Sequence, residues 1–228
     1  MLPTGRVRRT KKTRNLAETR KQILTAAFGE ILAHGFHATS IDAILEKTEL
    51  TKGALFHQFA TKLELGYAVV DEVIGPMTMA RWVEPLASFD NPLDGILRLL
   101  ERNIGDAPQA LLNQGCPLNN LIQEMANSDA EFQRRLGRVI ESWIGGIEKD
   151  IERGRKSRHI RKSVKARSVA EYIVMSHEGF FGIIKGLRHK RIFRSLVASL
   201  ELYFAGITIP SRPRPTARGR AVIYRRRA

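Results

Sequence analysis

The strongest constraint on the fold of this chain is a series of short helix patterns between Thr19 and Leu65. The segment TRKQILTAAFGEILAHG places apolar residues at helical spacing, and Gly35 follows where a helix usually stops. Three further patterns begin at side chains that cap helices well: Thr39 with Ser40, then Thr51, then Thr61, which opens a capping box with Glu64. This part of the chain is therefore predicted to form three helices joined by tight turns, followed by a fourth helix.

The third pattern, TKGALFHQF, carries polar and aromatic residues where a buried helix would carry apolar ones. Leu55 and Phe59, one helical turn apart, are expected to face the core. Lys52, Phe56 and His57 then face outward. Three short helices arranged in this way describe a helix-turn-helix module, in which the N-terminal end of the second helix of the pair enters the major groove of DNA.

Each outward residue type has a chemical use at a DNA surface. Lysines neutralise phosphates, hydroxyls donate to phosphate oxygens, and a glycine lets the backbone approach the duplex closely. Gln58 can pair bidentately with adenine, while His57 and Phe56 can meet phosphate, sugar or a thymine methyl group. The predicted DNA contacts are Thr39, Ser40, Thr51, Lys52, Gly53, Phe56, His57, Gln58 and Lys62. Taken singly, most of these residues would also suit an ordinary surface helix.

Residues Thr19 to Leu65 resemble the DNA-binding head of the TetR/AcrR family of bacterial transcriptional regulators. The resemblance rests on three motifs: IL-x-AA from Ile23, GF-x-x-TS-I from Gly35 and LTKGALFHQF-x-x-K from Leu50. It implies that the recognition helix runs from Lys52 to Gln58, and that phosphate contacts come from Thr39, Ser40 and Lys62.

Two positions depart from the pattern of the family. Glu49 stands in the turn before the third helix, where Gly or Asn is common, and it tolerates a left-handed backbone less well. Phe56 replaces the usual Tyr and lacks a hydroxyl that would often contact a phosphate. These departures leave the predicted fold intact and change the expected detail of the DNA contact.

The remaining residues show helical periodicity and no convincing period-2 segment. Pro92 and Pro117 stand in the first turns of two helix patterns, where proline is favoured. The periodicity therefore predicts an all-α protein, and the resemblance implies a TetR-like fold of about nine helices. Its predicted domains are a helix-turn-helix DNA-binding head at 15–65 and a helical ligand-binding and dimerisation domain at 66–206.

The net charge of +15 is concentrated at the two ends of the chain. Residues 1–21 hold eight Lys or Arg against Glu18, and residues 207–228 hold seven Arg and no acidic residue. Like charges with Pro and Gly bury too little surface to order a chain, so 1–14 and 207–228 are predicted to be disordered basic arms. They could be solvated tails, or they could lie along phosphates or in a minor groove.

The last two helix patterns, SVAEYIVMSHEGFFGIIKGL and RIFRSLVASLELYFAGI, are apolar around most of their circumference. One bundle covers such helices poorly, which implies a partner surface. The family resemblance implies the same, since its members dimerise through two C-terminal helices. The predicted dimer contacts are Phe180, Phe181, Ile184, Phe193, Leu196, Leu200 and Phe204. The alternative is that these side chains fill the core of a single chain.

The resemblance also implies an apolar ligand pocket in the C-terminal domain, whose occupancy shifts the separation of the two heads. The predicted lining residues are Trp82, Leu100, Cys116, Met125, Trp143, Met175 and His177, each of which also suits a plain core. Cys116 precedes a predicted helix N-terminus, where a thiolate is favoured, so it could sense oxidants or electrophiles. A small buried hydrophobic side chain is the alternative role for this cysteine.

Other classes of protein need patterns that this chain lacks. Its six histidines form no HExxH motif, and it carries no P-loop, dinucleotide fingerprint or GxSxG elbow. One cysteine excludes an intramolecular disulfide and a Cys-rich metal site. No apolar run reaches the roughly 18 residues of a membrane span, and no secretory signal is recognisable.

Together these patterns predict a non-enzymatic transcriptional regulator of the bacterial cytoplasm, without metal, cofactor or membrane partner. It is expected to bind a palindromic double-stranded DNA operator as a homodimer and, as a repressor, to be released by a small-molecule inducer. An activator of the same fold is one alternative. A nonspecific nucleic-acid-binding protein that uses the basic arms is another.

Overall fold

The computed structural model of the protein describes residues 7–210, and their side chains from Leu16 onward. Within this range the chain forms α-helices joined by short turns. Their bounds are α1 Val7–His34, α2 Ile41–Glu46, α3 Lys52–Gln58, α4 Lys62–Val69, α5 Gly75–Trp82, α6 Pro92–Leu100, α7 Gln109–Gln114, α8 Pro117–Met125, α9 Ala130–Lys156, α10 Ala166–Leu187 and α11 Arg191–Ile207. No strand occurs among the described residues, so the predicted all-α fold is confirmed.

Helices α1, α2 and α3 pack around a small apolar core and together form a unit that we call the head. Ile23 and Ala27 of α1, Ile44 of α2 and Leu55 of α3 are all buried in it. The predicted caps are confirmed, since side-chain oxygens accept backbone N–H bonds at all three helix starts. These are Ser40 Oγ from Ala43 at 3.0 Å, Thr51 Oγ1 from Ala54 at 3.2 Å and Thr61 Oγ1 from Glu64 at 3.1 Å.

The turns of the head follow the expected chemistry at Gly35 and differ from it at Glu49. Gly35 ends α1 with φ +87°. Glycine adopts this left-handed conformation readily because it has no Cβ. Glu49 is not among the residues with positive φ, so the turn before α3 closes without a left-handed backbone there. The departure from the family pattern at this position therefore carries no backbone strain.

Helix α4 leads out of the head into the larger C-terminal bundle, which we call the body. It continues through a π-helical turn at Val70–Ile74 into α5, so the predicted domain boundary between residues 65 and 66 falls inside a continuous helical rod. The body packs around α9, whose buried face includes Phe132, Trp143 and Ile151. Helix α10 lies along α9, and α5, α6 and α8 contact its other sides.

Both predicted arms are shorter than expected where the structure describes them. Helix α1 begins at Val7, so residues 7–14 are helical; Lys and Arg are good helix formers and extend a helix that is anchored further along. Residues 207–210 are also ordered, because Thr208 pairs with Ile160 in a β-bridge and Ile209 donates to the His159 carbonyl at 2.9 Å. The rest of both arms, 1–6 and 211–228, lies outside the described residues.

A membrane span requires a long apolar helix, and none of the helices within residues 7–210 meets that requirement.

Candidate functional site

Helix α3 presents a polar and aromatic surface on the outside of the head. Leu55 and Phe59 are buried, as predicted, which fixes the rotation of the helix. Lys52, Gly53 and His57 are exposed, and Phe56 is 42% exposed although its ring is apolar. An exposed aromatic ring between cationic and polar side chains suits a contact with another molecule better than contact with water.

The N-terminal residues of α2 and α3 divide into available and unavailable groups. Ser40 and Thr51 are exposed at the helix starts, each with its side-chain oxygen accepting a cap bond. Thr39 is buried, and its hydroxyl donates to the Gly35 carbonyl at 2.7 Å. Because its hydroxyl is used to close the α1–α2 turn, Thr39 is removed from the predicted phosphate contacts.

Both lysines predicted to meet phosphates already have partners within the chain. Lys52 Nζ lies 3.1 Å from Asp42 Oδ1, with both side chains exposed. Lys62 Nζ donates to the His37 carbonyl at 3.1 Å and lies 4.7 Å from the centre of the Phe36 ring. Burial lowers the pKa of Lys62 from its ordinary value. An exposed ion pair is weak, so Lys52 can exchange Asp42 for a phosphate at little cost, whereas Lys62 is held more firmly.

Gln58 is turned partly inward rather than outward. Its side-chain Nε2 lies 3.5 Å from the Leu16 carbonyl, and the backbone carbonyl of Gln58 accepts from Arg20 Nη1 at 3.5 Å. These long contacts tie the end of α3 to α1. A bidentate pairing of Gln58 with adenine would require the amide to leave this position, while exposed His57 needs no such change.

A carboxylate of the body holds the α1–α2 turn of the head. Glu124 of α8 accepts from the backbone N–H of Phe36 at 2.8 Å and from that of His37 at 2.7 Å. A side chain at Gly35 would come within 3.0 Å of the same carboxylate. These two charge-assisted hydrogen bonds to neighbouring amides connect α8 directly to the head.

Replacing Glu124 with alanine is expected to lower the free energy of unfolding by about 1.5–3 kcal/mol, since hydrogen bonds to a charged group are lost. Hydrogen exchange at the Phe36 and His37 amides should accelerate more than exchange in α9. The stability and amide protection of Glu124→Gln, which keeps one acceptor oxygen, should lie between those of Glu124→Ala and those of the unchanged protein. Unchanged protection of these amides in Glu124→Ala would show that the contact carries no stability.

A cavity of about 220 Å³ lies in the body beside the head. Phe28 and Leu32 of α1 form one wall, so the head contributes directly to it. The other walls come from the body and include Arg81, Trp82, Cys116, Trp143, His177 and Phe181. A largely apolar cavity with a few polar groups is the usual form of a small-molecule site.

His177 stands among aromatic rings at the floor of this cavity. Its ring centre lies 4.5 Å from that of Trp82, 4.9 Å from Trp143 and 4.8 Å from Phe181. Its Nδ1 lies 2.9 Å from Glu178 Oε1. Burial raises the pKa of Glu178, but the hydrogen bond and charge of His177 outweigh it and hold that pKa below its ordinary value. The pair therefore places an ionised carboxylate directly behind the imidazole.

The surroundings of Cys116 disfavour the thiolate that sensing of electrophiles would need. Burial raises the pKa of its thiol well above the ordinary value, and the nearby charge of Glu178 raises it further. The side chain is half-buried and lines the cavity. This environment favours the role of a small apolar lining residue, and the sensor role stays a prediction.

The predicted ligand residues fall into three groups. Trp82, Cys116, Trp143 and His177 line the cavity, whereas Leu100 is a core residue beside a much smaller void of about 10 Å³. Met125 is buried in the core between α8 and α9. Met175 is 63% exposed, because it lies on the side of α10 that faces away from α9. Leu100, Met125 and Met175 therefore do not line this site.

The predicted dimer contacts are mostly core residues of one chain. Those buried within it are Phe180, Phe181, Ile184, Phe193, Leu200 and Phe204, while Leu196 is half-buried. Their burial within one chain leaves little of their surface for a partner, because both helices are apolar on two sides and these residues lie on the inner one. The free apolar side of α10 and α11 instead carries other residues: Tyr172, Met175, Ile183 and Leu187, with Leu202.

Three contributors to the site carry no sequence signal. Phe28 of α1 and Arg81 of α5 line the cavity, although nothing in the local sequence of either helix marks them as lining residues. Glu124 reads as one more charged residue on an amphipathic helix. Only the packing of α8 against the head turn gives it partners 87 and 88 residues away in the chain. No cluster of His, Cys, Asp or Glu able to hold a metal ion occurs in the described part of the chain.

Comparison with known proteins matches both parts of the structure. Residues 23–69 match the family model described as "Bacterial regulatory proteins, tetR family", and residues 92–200 match "Tetracyclin repressor-like, C-terminal domain". The HTH-type transcriptional regulator RutR of Escherichia coli is 32% identical over 153 residues, which cover 61% of this chain and 69% of that protein.

Two further proteins extend the comparison. An uncharacterised HTH-type transcriptional regulator in the lacX 3′ region of Lactococcus lactis is 31% identical over 122 residues, or 54% of this chain. That match spans 62% of the Lactococcus protein, which is less than two thirds of its length. A solved TetR-family regulator from Cytophaga hutchinsonii has the same fold, with a TM-score of 0.76, 22% identity, and coverage of 86% of this chain and 98% of that one. The chain belongs to the TetR family of bacterial transcriptional regulators.

Proposed function

We propose that this protein is a homodimeric repressor that binds a palindromic operator and is released when a small molecule enters the cavity of the body. The observation that carries the proposal is the exposed face of α3. With Leu55 buried, the helix offers Lys52, Gly53 and Phe56 to a partner. That set provides a cation, a close approach of the backbone and an apolar surface, which are the means by which a helix reads a major groove.

The dimer is supported by the outer face of α10 and α11. Ile183 is 51% exposed and Leu202 is 79% exposed, values that leave large apolar side chains in water. Gly179 and Gly186, which lie at helical spacing from Ile183 on α10, are also exposed, and an added Cβ at either would meet nothing within 4 Å. Small residues beside apolar ones allow two helices to approach closely. A second copy related by a two-fold axis would cover this face and pair two heads for half-sites about 34–36 Å apart.

Ligand response is supported by two links between cavity and head. Phe28 and Leu32 of α1 form part of the cavity wall, so an occupant contacts a helix of the head directly. Cys116 and Pro117 also line the cavity and begin α8, which ends near Glu124 and its bonds to the head turn. A ligand that binds one arrangement of these helices better than the other would shift the spacing of the two heads.

Gly53→Ala tests the contact of α3 with DNA. A Cβ at this position would have a single neighbour within 4 Å, Thr51 Oγ1 at 3.9 Å, so the folded chain accepts it and helix propensity improves slightly. The added methyl group would lie between the backbone and the duplex. Operator affinity is expected to fall about tenfold or more, or about 1.4 kcal/mol, with no loss of thermal stability.

Gly29→Ala is the matched control. Gly29 is also an exposed helical glycine with nothing within 4 Å of an added Cβ, but it lies on α1 outside the proposed DNA surface. It should gain stability to a similar extent and leave operator affinity unchanged. Equal affinities of the two variants, measured by fluorescence anisotropy, would argue against close approach of α3 to DNA.

A further inference from the structure

The cavity contains buried polar atoms that lack partners. Trp143 Nε1 and His177 Nε2 are both buried, and neither has a hydrogen-bond partner in the structure. Both residues line the cavity. An unsatisfied buried N–H group costs free energy, and such groups in native proteins usually have a function or a bound partner. The indole N–H can only donate, so the missing partner of Trp143 is a hydrogen-bond acceptor.

The charges around the cavity favour an anion. Among the described residues that line it, none is acidic and Arg81 carries the only permanent charge. Arg81 is also exposed, so it stands at the solvent side of the cavity. The nearby carboxylate of Glu178 does not line the cavity, and one of its oxygens is bonded to His177 Nδ1. The guanidinium of Arg81 and the indole N–H of Trp143 together match a carboxylate.

The size and lining of the cavity favour one planar ring. Its volume is about 220 Å³, whereas an apolar cavity of about 150 Å³ is enough to hold benzene. Phe28, Trp82 and Phe181 supply aromatic surface on three helices, α1, α5 and α10. Aromatic rings pack on such surfaces in stacked or edge-to-face geometry.

We propose that the cavity binds a monocyclic aromatic carboxylate, with its ring among Trp82 and Phe181 and its carboxylate facing Arg81 and the Trp143 N–H. This inference rests on the proposed function in taking the cavity as the effector site. It adds the chemical class of the ligand. The positive charge of Arg81 selects for the anion, and the aromatic walls select for the flat ring.

Benzoate, benzamide and benzylamine are suitable probes, because they share a ring and differ in charge. The chain has two tryptophans, Trp82 and Trp143, and both line the cavity, so intrinsic fluorescence reports binding directly. Benzoate should quench this fluorescence saturably and bind at least about tenfold more tightly than benzamide, since only the anion forms charge-assisted bonds. Benzylamine should not bind. Calorimetry on the same dimer checks the affinities.

Variants assign the effect to named groups. Arg81→Gln should remove the preference for benzoate over benzamide, Arg81→Lys should keep part of it, and Trp143→Phe should weaken both ligands. Arg98→Gln, an exposed arginine of α6 outside the cavity, is the control and should change nothing. Absence of saturable benzoate binding, or equal binding of benzamide, would overturn the proposal. These titrations contain no DNA, so their failure would leave the DNA-binding proposal standing, and a failure of operator binding would not affect them.

Discussion

Replacing Leu202 with glutamate is expected to convert the proposed dimer to monomers and to weaken operator binding about a hundredfold or more, or about 2.7 kcal/mol. Among residues 16–210, Leu202 is the most exposed large apolar side chain, at 79%, and it lies on the outer face of α11. In a two-fold dimer, a carboxylate there would either face the same carboxylate of the second subunit, which repels it, or lose its water against apolar residues. Both arrangements cost free energy of association. A monomer would then contact a single half-site.

Sedimentation and operator titration measure the two parts of this result. Gln133→Glu adds the same charge to an exposed position of α9, away from the α10–α11 face, and should leave both measurements unchanged. A Leu202→Glu protein that remains dimeric with full operator affinity would show that the subunits meet elsewhere.

Among all the proposed variants, Phe132→Ala should lower the free energy of unfolding most. Phe132 is fully buried at the junction of head and body, where its ring stacks edge-to-face on Phe36 and on Tyr67, both at 4.9 Å between ring centres. Removing a buried aromatic ring costs about 3–5 kcal/mol through lost burial and the cavity left behind. Because the Phe36 contact fixes how the head sits on the body, operator affinity should also fall.

Urea unfolding at fixed protein concentration provides the test, with Phe132→Leu as a milder variant should Phe132→Ala fail to fold. Phe56→Ala is the matched control, since that ring is exposed on α3 and its removal should change stability by less than about 0.5 kcal/mol. The two variants should thus differ in stability, with Phe132→Ala lowering both stability and operator affinity and Phe56→Ala lowering operator affinity alone. A loss below about 1 kcal/mol for Phe132→Ala would contradict the role given to this junction.

The head could be predicted from sequence because its signals are local. Helix caps at Ser40, Thr51 and Thr61, the stop at Gly35 and the inward pair Leu55 and Phe59 each depend on residues within one or two turns. Such signals are present in the chain before tertiary contacts form, and the structure follows them. The exposed face of α3 follows from the same local pattern.

The body could be predicted only in class. Helices apolar on two sides do not reveal which side packs inward: Phe180 and Leu200, predicted dimer contacts, are buried within one chain, and Met175, a predicted cavity residue, is exposed. Thr39 was misassigned for a related reason, since its hydroxyl closes a turn rather than facing solvent. Arg81 and Glu124 acquire their surroundings from residues far away in the chain, and no local pattern records such contacts.

The most direct test of the central claim is selection of bound duplexes from a random double-stranded library by the purified protein at physiological ionic strength. We expect enrichment of one inverted repeat whose half-sites are about one helical turn, or a multiple of it, apart, and loss of that enrichment in Gly53→Ala. Recovery of duplexes without any shared sequence, bound no better than bulk competitor DNA, would contradict it.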